Sequence, residues 1–136
     1  MRRESEAEAR THFEELLDAA GEGRVVTVRR GPGRAAAVVD AERLRHHLAL
    51  ACPPKAQAVA EGGGWSISIP GLPVTADGAT FDEAVAEMAD ALREYAEDWQ
   101  DRLRTAPNHR DHWGLVQLIA LSDDEQLTAW LVGTGR

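Results

Sequence analysis

Apolar positions in the first twenty residues fall at Phe13, Leu16, Leu17 and Ala20, the three-and-four spacing of one helix face. Ser5 with Glu8 three residues later has the form of a capping box that opens this helix, and Gly21 and Gly23 end it. Residues 24–29 and 34–39 are rich in valine and alanine and flank Gly31-Pro32-Gly33, which predicts a β-hairpin. Asp40 is placed to cap a further helix carrying Leu44 and Leu48, which must stop before Pro53-Pro54. The first half thus reads helix, hairpin, helix.

The second half changes period. A short strand is expected at 56–60, and after Gly62-Gly63-Gly64 the run Trp65-Ser66-Ile67-Ser68-Ile69 alternates as a half-buried strand does. Pro70-Gly71-Leu72-Pro73 bends the chain, and Val74 to Ala76 forms a third short strand ended by Asp77-Gly78. Thr80 with Glu83 forms a second capping box. Phe81, Val85, Met88, Leu92, Tyr95 and Trp99 then repeat at alternating steps of four and three, a long helix with one apolar face. Residues 112–121 form an apolar segment that suits a helix or a strand, with helix preferred. Ser122 with Glu125 is expected to cap a last helix bearing Leu127, Trp130 and Leu131. The fold class is α+β.

At 136 residues the chain fits one ordinary domain or two small ones, and 43% hydrophobic content supports a packed core. No run approaches the ~18 apolar residues of a membrane helix, and MRRESEAEAR is too charged for a signal peptide. A single cysteine, Cys52, excludes an internal disulfide framework, so a reducing, cytoplasmic setting is expected. The net charge of -8 is unevenly spread. Residues 1–52 hold nine arginines and nine acidic residues, whereas residues 53–136 hold six basic against fourteen acidic ones. The neutral part concentrates cations in Arg29-Arg30-Gly31-Pro32-Gly33-Arg34, and the acidic part suits a basic protein and repels nucleic acid. The consecutive prolines at 53–54 therefore divide two modules, 1–52 and 55–136.

Catalytic and metal-binding patterns are not supported. His109 and His112 lack the third or fourth ligand that zinc usually takes and read as polar loop residues. His46 and His47 are adjacent on a helix and point in different directions. Cys52 has no neighbours that would mark a nucleophile. The carboxylates of the long helix fall off its apolar face and read as a solvated flank. Gly31-Pro32-Gly33 joins two strands and lacks the Gly-Lys-Ser/Thr of a phosphate loop. No nucleophile, base and oxyanion donor come together. The chain reads as a protein that is not an enzyme and needs no cofactor or metal.

The four tryptophans all lie in the second half. Trp99 belongs to the core face of the long helix, while Trp113 and Trp130 suit either core or interface, where tryptophan buries much area with few rotors.

Two resemblances follow from ordered stretches of sequence. EAR at 8–10, THFEELLDAA at 11–20 and GEGRVVTVRRGPGRAAAVVDAERLRHHL at 21–48 resemble the Phd/YefM antitoxins over about fifty residues. That family opens with a short strand, which the charged, helix-prone MRRESEAE does not show. GGGWSISIPGLPVTADGATFDEAVAEMADALREYAEDW at 62–99 is similar to the HicB antitoxins, a partial RNase H-like sheet with one long helix. The combination implies a small helix–hairpin–helix module followed by a ββ(β)α HicB-like domain with C-terminal helices.

The resemblances imply a cytoplasmic type II antitoxin that homodimerises through residues 1–52. It would repress its own operon by binding operator double-stranded DNA, and hold a cognate small basic toxin through residues 55–136. The DNA-contacting set is then Arg2, Arg3, Arg10, Arg29, Arg30 and Arg34. The toxin-facing set is Trp65, Trp113, Trp130, Glu94, Asp98 and Asp101. The competing reading is a protein-binding, dimerising module without a DNA role.

Overall fold

The computed structural model describes residues 2–133, with the side chain of Arg2 outside what is described. Two compact units divide the chain, Met1–Leu44 and Arg45–Arg136. Each carries its own three-stranded sheet, β1-β2-β3 and β4-β5-β6.

The first unit opens with strand β1 (Arg2–Ser5), which runs parallel to β2 (Val26–Arg29). This corrects the reading of the N-terminus as helix-prone. A parallel pair needs a crossover of a dozen residues or more, and helices α1 (Glu6–Thr11) and α2 (Phe13–Gly21) supply it. The strand exists because Val26–Arg29 offers it an edge, so its own charged letters do not reveal it. Ser5 caps α1 as expected, its Oγ accepting from Glu8 N at 3.2 Å. The expected single helix is interrupted at His12, which leaves helical geometry (φ -117, ψ 35). Thr11 Oγ1 donates to the Ala7 carbonyl there (3.0 Å), a competing bond that loosens the turn. The hairpin forms with β3 (Ala35–Val38) antiparallel to β2, and Arg30 N donates to the Arg34 carbonyl to close the turn. Gly31 and Gly33 both take positive φ in that turn, a conformation costly for any other residue. Leu16, Ala19 and Val26 form the small core of this unit.

Helix α3 (Ala41–Ala51) starts at Asp40, whose carboxylate accepts from Arg43 N at 3.0 Å. The second unit then builds a meander of β4 (Gln57–Glu61), β5 (Gly64–Ser68) and β6 (Thr75–Gly78), so Asp77-Gly78 extends the third strand instead of ending it. Helix α4 (Phe81–Asp98) packs on β5 and β6 with Val85, Met88, Leu92 and Tyr95 inward. Its start is closed from both sides. Thr80 Oγ1 accepts from Glu83 N at 3.1 Å, and Glu83 Oε2 accepts from Ala79 N at 3.0 Å. Gly78 is fixed by space, since a Cβ there would lie 2.4 Å from Ala84 N and 2.8 Å from the Glu83 carbonyl carbon. At its end α4 widens into a π-helical turn, Trp99–Leu103, with Trp99 buried.

The apolar run 112–121 is helical, as α5 (Trp113–Leu121), preceded by a short 3-10 turn at Arg110–His112. Helix α6 (Asp124–Val132) follows, and both pack on α4. The cap of α6 is Asp123 and not Ser122. Asp123 Oδ1 accepts from Gln126 N (2.7 Å) and Gln126 Oε1 accepts from Asp123 N (3.0 Å). Ser122 is buried with its hydroxyl donating to the Leu118 carbonyl, so it closes α5 instead. Among the described residues no helix is long and apolar enough to cross a membrane.

Candidate functional site

The parallel register of β1 on β2 sets Ser5 opposite Arg29, so the start of α1 lies beside the hairpin turn. Five arginines of the expected DNA set are thereby gathered at one end of the first unit. Arg3 and Arg29 line one shallow groove with Glu4, Thr27 and Ala35. Arg30 and Arg34 line another with Glu6. Arg10 reaches the same place through Glu6, while the side chain of Arg2 lies outside the described atoms.

Glu6 is the residue that sequence inspection passes over. Its Oε1 accepts from Arg30 Nε at 2.9 Å, and its Oε2 sits 3.4 Å from an Arg10 terminal nitrogen. The i,i+4 pair with Arg10 is legible in sequence. The bond to Arg30 spans 24 residues and depends on the unexpected strand β1. Among the described residues Arg3, Arg29 and Arg34 are exposed and hold no ion pair.

In the second unit the acidic side chains of α4 form an exposed flank opposite its buried face, from Asp82 and Glu87 through Asp90 and Glu94 to Glu97 and Asp98, with Asp101 just beyond. The one cation within α4, Arg93, is turned onto α5 and α6. It donates to the carbonyls of Ile119 (2.6 Å) and Ser122 (2.9 Å) and to the Asp124 carboxylate (2.9 Å). Asp98 faces Arg102 at 3.5 Å. The flank therefore keeps most of its negative charge for solvent or a partner.

The tryptophans divide. Trp113 is 53% exposed at the start of α5. Trp65 is half-buried, edge-on to Phe81 with ring centroids 5.3 Å apart. Trp130 is only 6% exposed and its indole N–H donates to the Cys52 carbonyl at 3.0 Å. That burial takes Trp130 out of the surface set, because the anchor for its ring is the end of α3. Trp99 lies in the core, donating to the His109 carbonyl at 2.8 Å.

His109 and His112 are more than polar loop residues. Nδ1 of each bonds the Tyr95 hydroxyl, at 2.8 and 2.6 Å. With one proton, that hydroxyl donates to one ring and accepts from the other. Burial raises the Tyr95 pKa above its ordinary value, which keeps the phenol neutral further into alkaline solution. Cys52 is likewise pushed up by burial, away from thiolate reactivity. No group of three or more His, Cys, Asp or Glu able to hold a metal occurs among the described residues.

Comparison with known proteins adds three findings. A family model described as "PHD_like: Antitoxin of toxin-antitoxin, RelE / RelB, TA system" matches residues 1–132. A solved structure from Syntrophomonas wolfei subsp. wolfei, described as an antitoxin part of a proposed toxin/antitoxin system, has a TM-score of 0.81 at 20% identity and covers 96% of each chain. No curated protein sequence matches.

Proposed function

The chain belongs to the PHD-like family of toxin–antitoxin antitoxins, and from that premise we propose that it neutralises a basic toxin with residues 55–136 and represses its own operon with residues 1–52. The observation that carries this division is the placement of charge. The first unit presents exposed Arg3, Arg29 and Arg34 around one turn, and the second presents the carboxylates of α4 with Arg93 drawn away.

The acidic flank suits a toxin whose basic surface otherwise binds a phosphate backbone, since complementary potentials speed encounter and exclude wrong partners. Exposed Trp113 and half-buried Trp65 supply apolar anchors, and Glu94, Asp98 and Asp101 supply the charge. The arginine turn suits duplex phosphates, with one side chain reading a base edge. Homodimerisation through the first unit is supported by its thin core and by exposed Phe13 and Leu17 on α2, with Val25 and Val39 also exposed. Two turns per dimer then act on one operator. The Phd/YefM-like and HicB-like characters of the two modules belong to the same reading, with the HicB-like sheet serving as a scaffold for binding and not for catalysis.

Affinity purification of the full chain co-expressed with the product of the adjoining open reading frame tests the toxin arm. A stable complex with a small basic protein supports the reading. Recovery of the chain alone, with that product free in the lysate, argues against it.

A further inference from the structure

Glu6 and Arg30 form a pair with a specific consequence for DNA recognition. A guanidinium carries five N–H donors on a rigid plane. Glu6 engages Arg30 through Nε at 2.9 Å, a length typical of a charge-assisted bond. That bond holds the plane from one edge and leaves the opposite edge, with Nη1 and Nη2, unclaimed by Glu6. This is the edge that grips guanine O6 and N7, where the plane must match the base, whereas a phosphate takes the same fork or a point charge and carries no sequence information. The second oxygen of Glu6 meets Arg10 at 3.4 Å, so one carboxylate moderates two cations at the turn. Its charge also stands beside any phosphate that approaches the turn, which penalises sequence-independent binding.

We propose that Glu6 is a specificity-determining residue of the DNA surface: it suppresses indiscriminate phosphate binding and holds Arg30 in the pose for reading a base edge. The proposal rests on the operator-binding reading above. It makes Glu6 a positioning residue that acts through Arg30, and it assigns phosphate neutralisation to Arg3, Arg29 and Arg34.

The test uses the full chain and two duplexes of equal length, one from the DNA upstream of its own gene and one a scramble of it. Binding of each is measured by fluorescence anisotropy over a salt series. Glu6→Gln is expected to tighten binding to the scrambled duplex on the order of tenfold at about 0.1 M salt, and to steepen its salt slope by about 0.9 for each additional phosphate neutralised. The preference for the upstream duplex is expected to fall about tenfold, the discrimination that bidentate base recognition gives. Arg30→Lys keeps the charge without the fork, so it is expected to lose the same preference, and Glu6→Gln added to it is expected to cause little further loss. Thermal midpoints of all variants are expected to match the wild type, because exposed ion pairs contribute little to stability.

Equal tightening on both duplexes overturns the positioning role, as does a double variant whose loss of preference is the product of the two singles. A wild-type chain that binds neither duplex overturns the operator-binding reading itself, a result distinct from either of these.

Discussion

The Tyr95 hydroxyl lies 2.6 Å from Nδ1 of His112, tying the last turn of α4 to the approach of α5 across 17 residues. The same oxygen holds His109 at 2.8 Å, so the loop following the π-helical turn is pinned at two points to one phenol.

Tyr95→Phe removes both bonds while keeping the ring in the core. The expected cost is about 1–3 kcal/mol, read as a fall of roughly 5–15 °C in the thermal midpoint. The pH dependence has a definite sign. Burial raises the Tyr95 pKa in the folded state, so the neutral phenol contributes stability that is complete below its unfolded value near 10.0 and is lost as pH rises through the folded one. Urea denaturation at rising alkaline pH is expected to show a shallower decline for Tyr95→Phe than for the wild type.

Two glycines separate space from conformation. Gly78→Ala forces a Cβ against the backbone of Glu83 and Ala84, where nothing flexible can yield. A loss of about 1–3 kcal/mol is expected, with β6 or the start of α4 displaced. Gly21 closes α2 with no atom within 4 Å of a Cβ. Gly21→Ala is expected to be neutral or to stabilise by up to about 1 kcal/mol. Denaturant midpoints of the two variants measure the contrast.

These local features also show where sequence is sufficient. Ser5, Asp40 and Thr80 cap helices as their letters indicate, and the hairpin and α4 follow from glycine placement and a single-faced repeat. The features that the letters do not reveal depend on partners far along the chain. Strand β1 forms only against β2, and the Glu6–Arg30 bond exists only because that strand brings α1 to the turn. Asp123 displaces Ser122 as the cap of α6 because Leu118 offers the serine hydroxyl a buried acceptor. The arginine turn and acidic helix are legible as compositions, but the removal of Arg93 and Trp130 from the surface is not.

Combined Arg29→Ala, Arg30→Ala and Arg34→Ala is expected to weaken operator binding at least about 100-fold at physiological salt, with the fold retained and residual binding measurable at lower salt. Removing the phosphate-facing Arg29 and Arg34 from both turns of a dimer flattens the salt slope by about 4. Retention of wild-type affinity by this triple variant in an anisotropy titration rules out the turn as the DNA-binding element.

Trp113 is exposed and sits on a helix that buries Val116, Leu118 and Ile119. Trp113→Ala is expected to weaken toxin binding by about 30-fold or more, the effect of losing an aromatic anchor, without shifting the thermal midpoint. Calorimetric titration of the purified partner into each chain reads the difference.

The measurement that bears most directly on the antitoxin function is growth of cells expressing the product of the adjoining open reading frame, with and without this chain. The expected result is growth arrest by that product alone and full recovery when the wild-type chain is co-expressed, with recovery impaired by charge reversal at Glu94, Asp98 and Asp101. Arrest that persists despite soluble expression of this chain would contradict the account.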